Sequence, residues 1–142
     1  MSNHRPVSAK SGKRVNLTGS CLCGKVRYKI NGVARDIINC FCQQCRKTSG
    51  HYVAATRVSK DQFEIIDRTF LTWFKSSPGT FRGFCSQCGG NLFWDGGTDD
   101  QIGIMAGSLD EPTGLKTIEN IFVEDASDYC DIPLIDLPNK LV

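Results

Sequence analysis

Apolar positions in this chain recur at intervals of two rather than at the three-and-four spacing of an amphipathic helix. In Lys25–Ile30, Val26, Tyr28 and Ile30 alternate with Lys25, Arg27 and Lys29, which predicts a strand with one buried and one solvated face. Short stretches rich in aromatic and β-branched residues follow at His51–Val58, Phe63–Ile66, Phe70–Lys75, Thr80–Cys85, Asn91–Asp95, Gln101–Gly107 and Thr117–Val123. Each has the length and composition of a strand. Turn-forming runs such as Ser77-Pro78-Gly79, Asp95-Gly96-Gly97 and Asp110-Glu111-Pro112 separate them. Cys45–Gly50 reads as one short helical turn closed by glycine, and Glu124–Pro133 as a loop with a single helical turn. No segment sustains a 3.6-residue period. The pattern predicts a mainly β fold, a small antiparallel-sheet domain with little helix.

Residues 1–16 lack apolar periodicity and are expected to form a flexible basic tail, with one domain over 17–142. A chain of 142 residues buries a real core without metals merely to exist. Its hydrophobic content of 40% and charged content of 23% are those of an ordinary globular protein. No apolar run approaches the roughly 18 residues of a membrane span. The net charge of +2 is unevenly spread, because residues 1–30 hold lysines and arginines and no acid, while acids dominate from Asp95 onward. A basic first half attracts anionic ligands or nucleic acid, although a solvated strand face is the simpler account.

Seven of the eight cysteines fall into three groups: Cys21-Leu22-Cys23, Cys40-Phe41-Cys42-Gln43-Gln44-Cys45 and Cys85-Ser86-Gln87-Cys88. Cysteines this close do not readily pair, because a disulfide wants Cα atoms about 5.5 Å apart with suitably aimed Cβ vectors. Two thiolates at CxC or CxxC spacing can instead point at one metal ion. The first and third groups together supply four sulfurs, the full set of a structural zinc at Cys21, Cys23, Cys85 and Cys88. The middle group supplies three, Cys40, Cys42 and Cys45, and leaves a position open as catalytic zinc sites do. Glycine directly after Cys23 and Cys88 suits a knuckle whose left-handed turn aims backbone N–H groups at the sulfurs. The two pairs lie 62 residues apart, so the four-sulfur zinc would staple the first strand to a late hairpin. Met1–Lys13 has no apolar signal-peptide stretch, and thiols grouped in this way predict a reducing cytoplasm.

Arg46 and Lys47 follow the middle group directly. A zinc with three thiolates is a poor acid for water but well suited to hold an incoming thiol as thiolate. The neighbouring cations favour an anionic ligand. Two other readings stand beside this one: a second closed zinc completed by His51, His4 or Cys130, and three buried thiols without metal. Cys130 by itself is expected to be a small buried hydrophobe, and His51 a surface or pocket polar residue. The aromatics Phe70, Trp73, Phe74, Phe81, Phe84, Phe93 and Trp94 are expected mostly in packing, with one or two lining a cleft. Asp99 and Asp100 are expected at a hairpin tip.

The runs "GSCLCGKVRY", "CFCQQCRKTSG", "FCSQCGGNLF", "AGSLDEP" and "DLP" occur in that order. In this the chain resembles the glutathione-dependent formaldehyde-activating family, which also includes centromere protein V, over about residues 17–139. The resemblance implies a zinc-bearing β fold of the Mss4-like type. It also implies an activity joining glutathione and formaldehyde to S-hydroxymethylglutathione, classed as a carbon–sulfur lyase. It assigns Cys21, Cys23, Cys85 and Cys88 to the structural zinc and Cys40, Cys42 and Cys45 to the catalytic one. The chain departs from the family at Phe41 and Asn120, which stand where histidines are frequent, and at Tyr129 in place of a tryptophan. These departures leave the metal ligands intact and are expected to alter the pocket.

Together these readings predict a cytoplasmic zinc enzyme with two zinc ions per chain that acts on glutathione or a similar small thiol. Arg46 and Lys47, with Arg57 as a further candidate, would pair with its carboxylates. The rival reading is a non-catalytic zinc module for a macromolecular partner. Nucleic acid fits poorly there, because the basic stretch lacks interleaved aromatics and the second half is acidic.

Overall fold

The computed structural model describes residues 11–97 and 100–135. The strands are β1 (Gly12–Ser20), β2 (Arg27–Arg35), β3 (Ile37–Cys40), β4 (Val53–Ser59), β5 (Phe63–Asp67), β6 (Leu71–Ser77), β7 (Thr80–Cys85), β8 (Asn91–Asp95), β9 (Gln101–Met105) and β10 (Thr117–Ile121). One short helix, α1 (Gln43–Ser49), follows β3. A three-stranded sheet has the order β1-β2-β5, and a seven-stranded sheet the order β10-β3-β4-β9-β8-β7-β6. Pairing is antiparallel throughout the described strands except between β10 and β3, which run parallel.

Most expected strands are present, and α1 is the expected helical turn, ended by Gly50. Two strands went unpredicted. β1 begins at Gly12, inside the stretch expected as tail, and pairs with β2 from Gly12↔Arg35 to Ser20↔Arg27. Only Val15 and Gly19 of its nine residues are buried, so its backbone ladder with β2, rather than its own apolar alternation, makes it a strand. β3 has no polar alternation because both its faces are covered, Ile37 to Asn39 being buried in sequence. The tail residues 1–10 with His4, the residue Asp99 and the final "DLP" run lie outside the described residues.

The core lies between the two sheets. Val26, Tyr28 and Ile30 from β2 and its approach meet Val58, Phe93, Ile102 and Ile104 from the large sheet, all buried. Their alternating partners Arg27 and Lys29 are exposed, so the basic early stretch is in large part a solvated strand face. At the centre the Tyr28 ring meets Phe93 edge-on at 5.3 Å and Phe63 at 5.7 Å. Its hydroxyl is hydrogen-bonded to Ser108 Oγ at 2.6 Å, which satisfies the one polar atom this ring carries into the core.

The opposite face of the large sheet carries a second, smaller cluster. It consists of Cys42, Cys45, Val53 and Met105, flanked by Cys40, Ala55, Trp94 and Phe122. One sheet therefore separates a packed core from a face that holds thiols.

A Cβ at Gly19 would collide with the Tyr28 phenol and the Ser108 carbonyl. Replacing Gly19 by Ala should lower stability by about 1–3 kcal/mol, the usual cost of overpacking a core. Tyr28→Phe in addition should not restore it, because the backbone carbonyl stays; urea denaturation of both variants measures this.

Candidate metal centres and their cavity

The loop between β1 and β2 carries Cys21 and Cys23, while Cys85 ends β7 and Cys88 lies in the turn that leads to β8. The four Sγ atoms converge, all within 4.8 Å of one another. Cys21 and Cys23 sulfurs are 3.6 Å apart, and those of Cys23 and Cys85 are 3.7 Å apart. Disulfides need about 2.05 Å, whereas the edge of a tetrahedron with metal–sulfur bonds of about 2.3 Å is about 3.8 Å. The spacing fits a metal and not a bond. Gly24 and Gly89 both have φ of +78°, the left-handed turn expected of the knuckles. The N–H of Val26 donates to Cys21 Sγ at 3.3 Å and that of Cys88 to Cys85 Sγ at 3.5 Å. Backbone N–H groups of Cys23 and Gly90 pull the Cys88 thiol down to about 6. Cys21 is lowered as well, against its burial, by the Val26 N–H and the Cys23 and Cys85 sulfurs, whereas Cys23, though lowered by the Lys25 N–H, is pushed up to about 11 by desolvation and the other three sulfurs.

The middle thiols come from the end of β3 and the start of α1. Cys42 caps the helix, its sulfur accepting from the N–H of Cys45 at 3.4 Å, so the helix that positions Cys45 also neutralises part of the charge on Cys42. Cys40, Cys42 and Cys45 sulfurs lie within 4.8 Å of one another. Hydrogen bonds from Cys40 and Cys45 and the charge of Arg82 pull Cys42 down to about 2. Cys40 is driven far above the usual thiol range, first by its contact with Cys42 and then by Cys45 and burial. Cys45, though lowered by Cys40, is pushed up to about 11 by Cys42 and burial. Three thiols this close do not all ionise without a cation among them, and a metal ion supplies one. Among the described residues no fourth ligand joins this group. His51 is exposed, and its Nδ1 is hydrogen-bonded to Tyr129 Oη at 2.8 Å. Cys130 is half-buried rather than fully buried, and its thiol bonds to the Asp131 carbonyl at 3.5 Å.

These three sulfurs open onto a cavity on the outer face of the large sheet. Strand register builds its floor: Arg57 stands opposite Gly103, Gly103 opposite Trp94, and Trp94 opposite Arg82. Gly103 has no side chain to separate its neighbours, and the Arg57 guanidinium lies 5.4 Å from the Trp94 ring centroid, a cation–π distance. Arg35, Arg57 and Arg82 all line the cavity although each is at most 6% exposed. Buried arginines need partners, and Arg82 has them in α1: Nη1 donates to Thr48 Oγ1 and Nη2 to Gln44 Oε1, both at 3.3 Å. The same two nitrogens lie 4.0 Å from Cys45 Sγ. Phe122, with φ of +55°, also lines the cavity. A bulky residue in that conformation is strained.

Arg46 and Lys47 do not line the cavity; Lys47 is exposed on α1 and Arg46 half-buried. Arg57 does, as do Arg82 and Arg35, which the sequence reading passed over. The signal for Arg82 was available, since an arginine between Phe81 and Gly83 in an aromatic strand marks a face that cannot be ordinary core. Phe41 and Asn120 do not alter the cavity wall. Phe41 is buried against Tyr52, ring centroids 4.6 Å apart. Asn120 accepts from Asn39 Nδ2 at 3.0 Å and donates to the Pro133 carbonyl at 2.9 Å.

With that geometry in hand, the profile of the family described as "Glutathione-dependent formaldehyde-activating enzyme" matches residues 16–125, which include all seven clustered cysteines. The chain belongs to this family. A Halomonas elongata relative, named "Putative glutathione-dependent formaldehyde-activating enzyme", is 34% identical over 86 residues. That match spans 54% of this chain and 54% of the relative, about half of its length. The crystal structure of a Rhodobacter sphaeroides protein is similar with a TM-score of 0.55 at 20% identity, over 70% of this chain and 97% of that one. That similarity supports the β fold alone. Family membership agrees with two cysteine groups placed to bind metal ions.

The four-sulfur group joins turns from both sheets, whereas the three-sulfur group is local to β3 and α1. Replacing Cys85 by Ser should therefore destabilise the whole domain by roughly 4 kcal/mol or more, as metal loss does. Replacing Cys42 by Ser should cost less than about half of that and leave the fold. Thermal melts with metal analysis of each variant compare the two.

Proposed function

We propose that this chain is a zinc-dependent enzyme of the carbon–sulfur lyase type that combines glutathione, or a similar small thiol, with formaldehyde or another small electrophile. One zinc at Cys21, Cys23, Cys85 and Cys88 would hold the fold, and a second at Cys40, Cys42 and Cys45 would serve the reaction. The observation that carries this reading is the incomplete sulfur set opening onto a cavity walled by buried arginines. A zinc bound there supplies a soft position at which an incoming thiol stays ionised at neutral pH. Free thiols in both groups suit a reducing compartment, the cytoplasm. Among the described residues no helix is long and apolar enough to cross a membrane.

The residues around the sulfurs divide the remaining work. Arg57, held over Trp94 by the gap at Gly103, offers its guanidinium to a carboxylate of the thiol. Trp94, Met105 and Phe122 exclude water from the carbon chain. Lys47, exposed on α1, contributes only to the general field.

Glutathione should bind measurably tighter than its S-methyl derivative, which cannot give a thiolate. Arg57→Ala should weaken glutathione by roughly tenfold to a hundredfold, the loss of one charge-assisted pair, while Lys47→Ala changes the affinity little. Calorimetry on zinc-loaded protein measures both. Equal affinity for the free and methylated thiols would reject sulfur ligation at the middle centre.

A further inference from the structure

The side chain of Arg82 is 4% exposed, and both its terminal nitrogens are engaged by α1, Nη1 with Thr48 and Nη2 with Gln44. Its Nε is buried and has no hydrogen-bond partner. The residue itself lines the cavity beside the three thiols. The guanidinium is fixed at the sulfur end of that cavity, 4.0 Å from Cys45 Sγ. A thiol packed against the three cysteines has its reacting carbon one bond away and an oxygen on that carbon two bonds away. The carboxylates of glutathione lie many bonds further out. Arg82 therefore stands where an oxygen on the reacting carbon would lie, and Arg57, further along the same row of the sheet, stands where a carboxylate would lie.

We infer that Arg82 is a catalytic residue whose guanidinium donates to the aldehyde oxygen as the carbon–sulfur bond forms. This rests on the thiol-and-aldehyde reading above and assigns it a residue. In the addition step, the electron pair of the thiolate forms the sulfur–carbon bond and the carbonyl π pair moves onto oxygen. The oxyanion is stabilised by the positively charged Arg82 guanidinium. A proton from water then completes the hydroxyl, replacing the one the thiol released on binding. The reverse reaction uses the same contact. Thr48 and Gln44 orient the guanidinium in advance, so little reorganisation is needed when the charge appears.

The test compares zinc-loaded wild type with Arg82→Gln and Arg82→Lys by three readouts: metal content, glutathione affinity by calorimetry, and the rate of adduct formation from labelled formaldehyde by exchange NMR. For Arg82→Gln the metal and the glutathione Kd should stay within about twofold. Its turnover should fall by about a hundredfold to a thousandfold, the usual cost of one oxyanion donor. Arg82→Lys should recover part of that loss by keeping the charge. An unchanged turnover in Arg82→Gln overturns the assignment. So does a tenfold weaker glutathione affinity with unaltered turnover, which would make Arg82 a carboxylate anchor, or a loss of metal, which would make it a structural clamp. Failure of the reading it rests on looks different, because wild type itself then gives no acceleration over the uncatalysed addition, and both ideas fall.

Discussion

The convergence of four cysteine sulfurs from two turns, with spacings of 3.6 and 3.7 Å, is the constraint on which the rest of this structure depends. The turns belong to different sheets, so their meeting sets how the β1–β2 hairpin lies on the large sheet. It also fixes one end of β7. Because Cys85 and Arg82 are on that strand, the arrangement that closes the four-sulfur group also delivers an arginine to the three-sulfur group. The fold and the cavity are tied through three residues of chain.

The large sheet works as a partition. Along β4, β8 and β9 one set of side chains, Val58, Phe93, Ile102 and Ile104, goes to the core, and their neighbours Arg57, Trp94 and Gly103 go to the cavity. The two-residue period of a strand produces this division without any special device. What makes the outer face a site is the unusual chemistry placed on it: buried cations, an aromatic floor and thiols within one enclosure. Phe122 adds a strained backbone at the rim, a kind of strain that persists only where surrounding structure over-determines it.

Phe41 and Asn120, expected to alter the pocket, have local physical roles instead. Phe41 fills a buried position against Tyr52 behind the cysteine loop. Asn120 joins the parallel strands β3 and β10 through Asn39 and ties the following segment down through Pro133. Both maintain the frame that holds Cys40 and α1, so their influence on the thiols is indirect.

By itself the sequence determined which cysteines form candidate metal-binding groups and most of the strands. Ligand spacing is covalent information, since CxC and CxxC hold sulfurs near one another in any fold, and alternation such as Val26, Tyr28 and Ile30 needs only one buried face. It could not determine β1, whose residues are mostly polar and which exists through pairing with β2, nor the parallel entry of β10 beside β3. The choice of cations was likewise a tertiary matter. Arg46 and Lys47 are the nearest to the cysteines along the chain, but a helix turns Lys47 outward. Arg82, 37 residues from Cys45, arrives because strand register brings β7 across the sheet to face α1. Spacing in sequence pairs the cysteines within each turn, whereas the tertiary structure brings Cys21 and Cys23 to Cys85 and Cys88, and register governs which charges share a cavity.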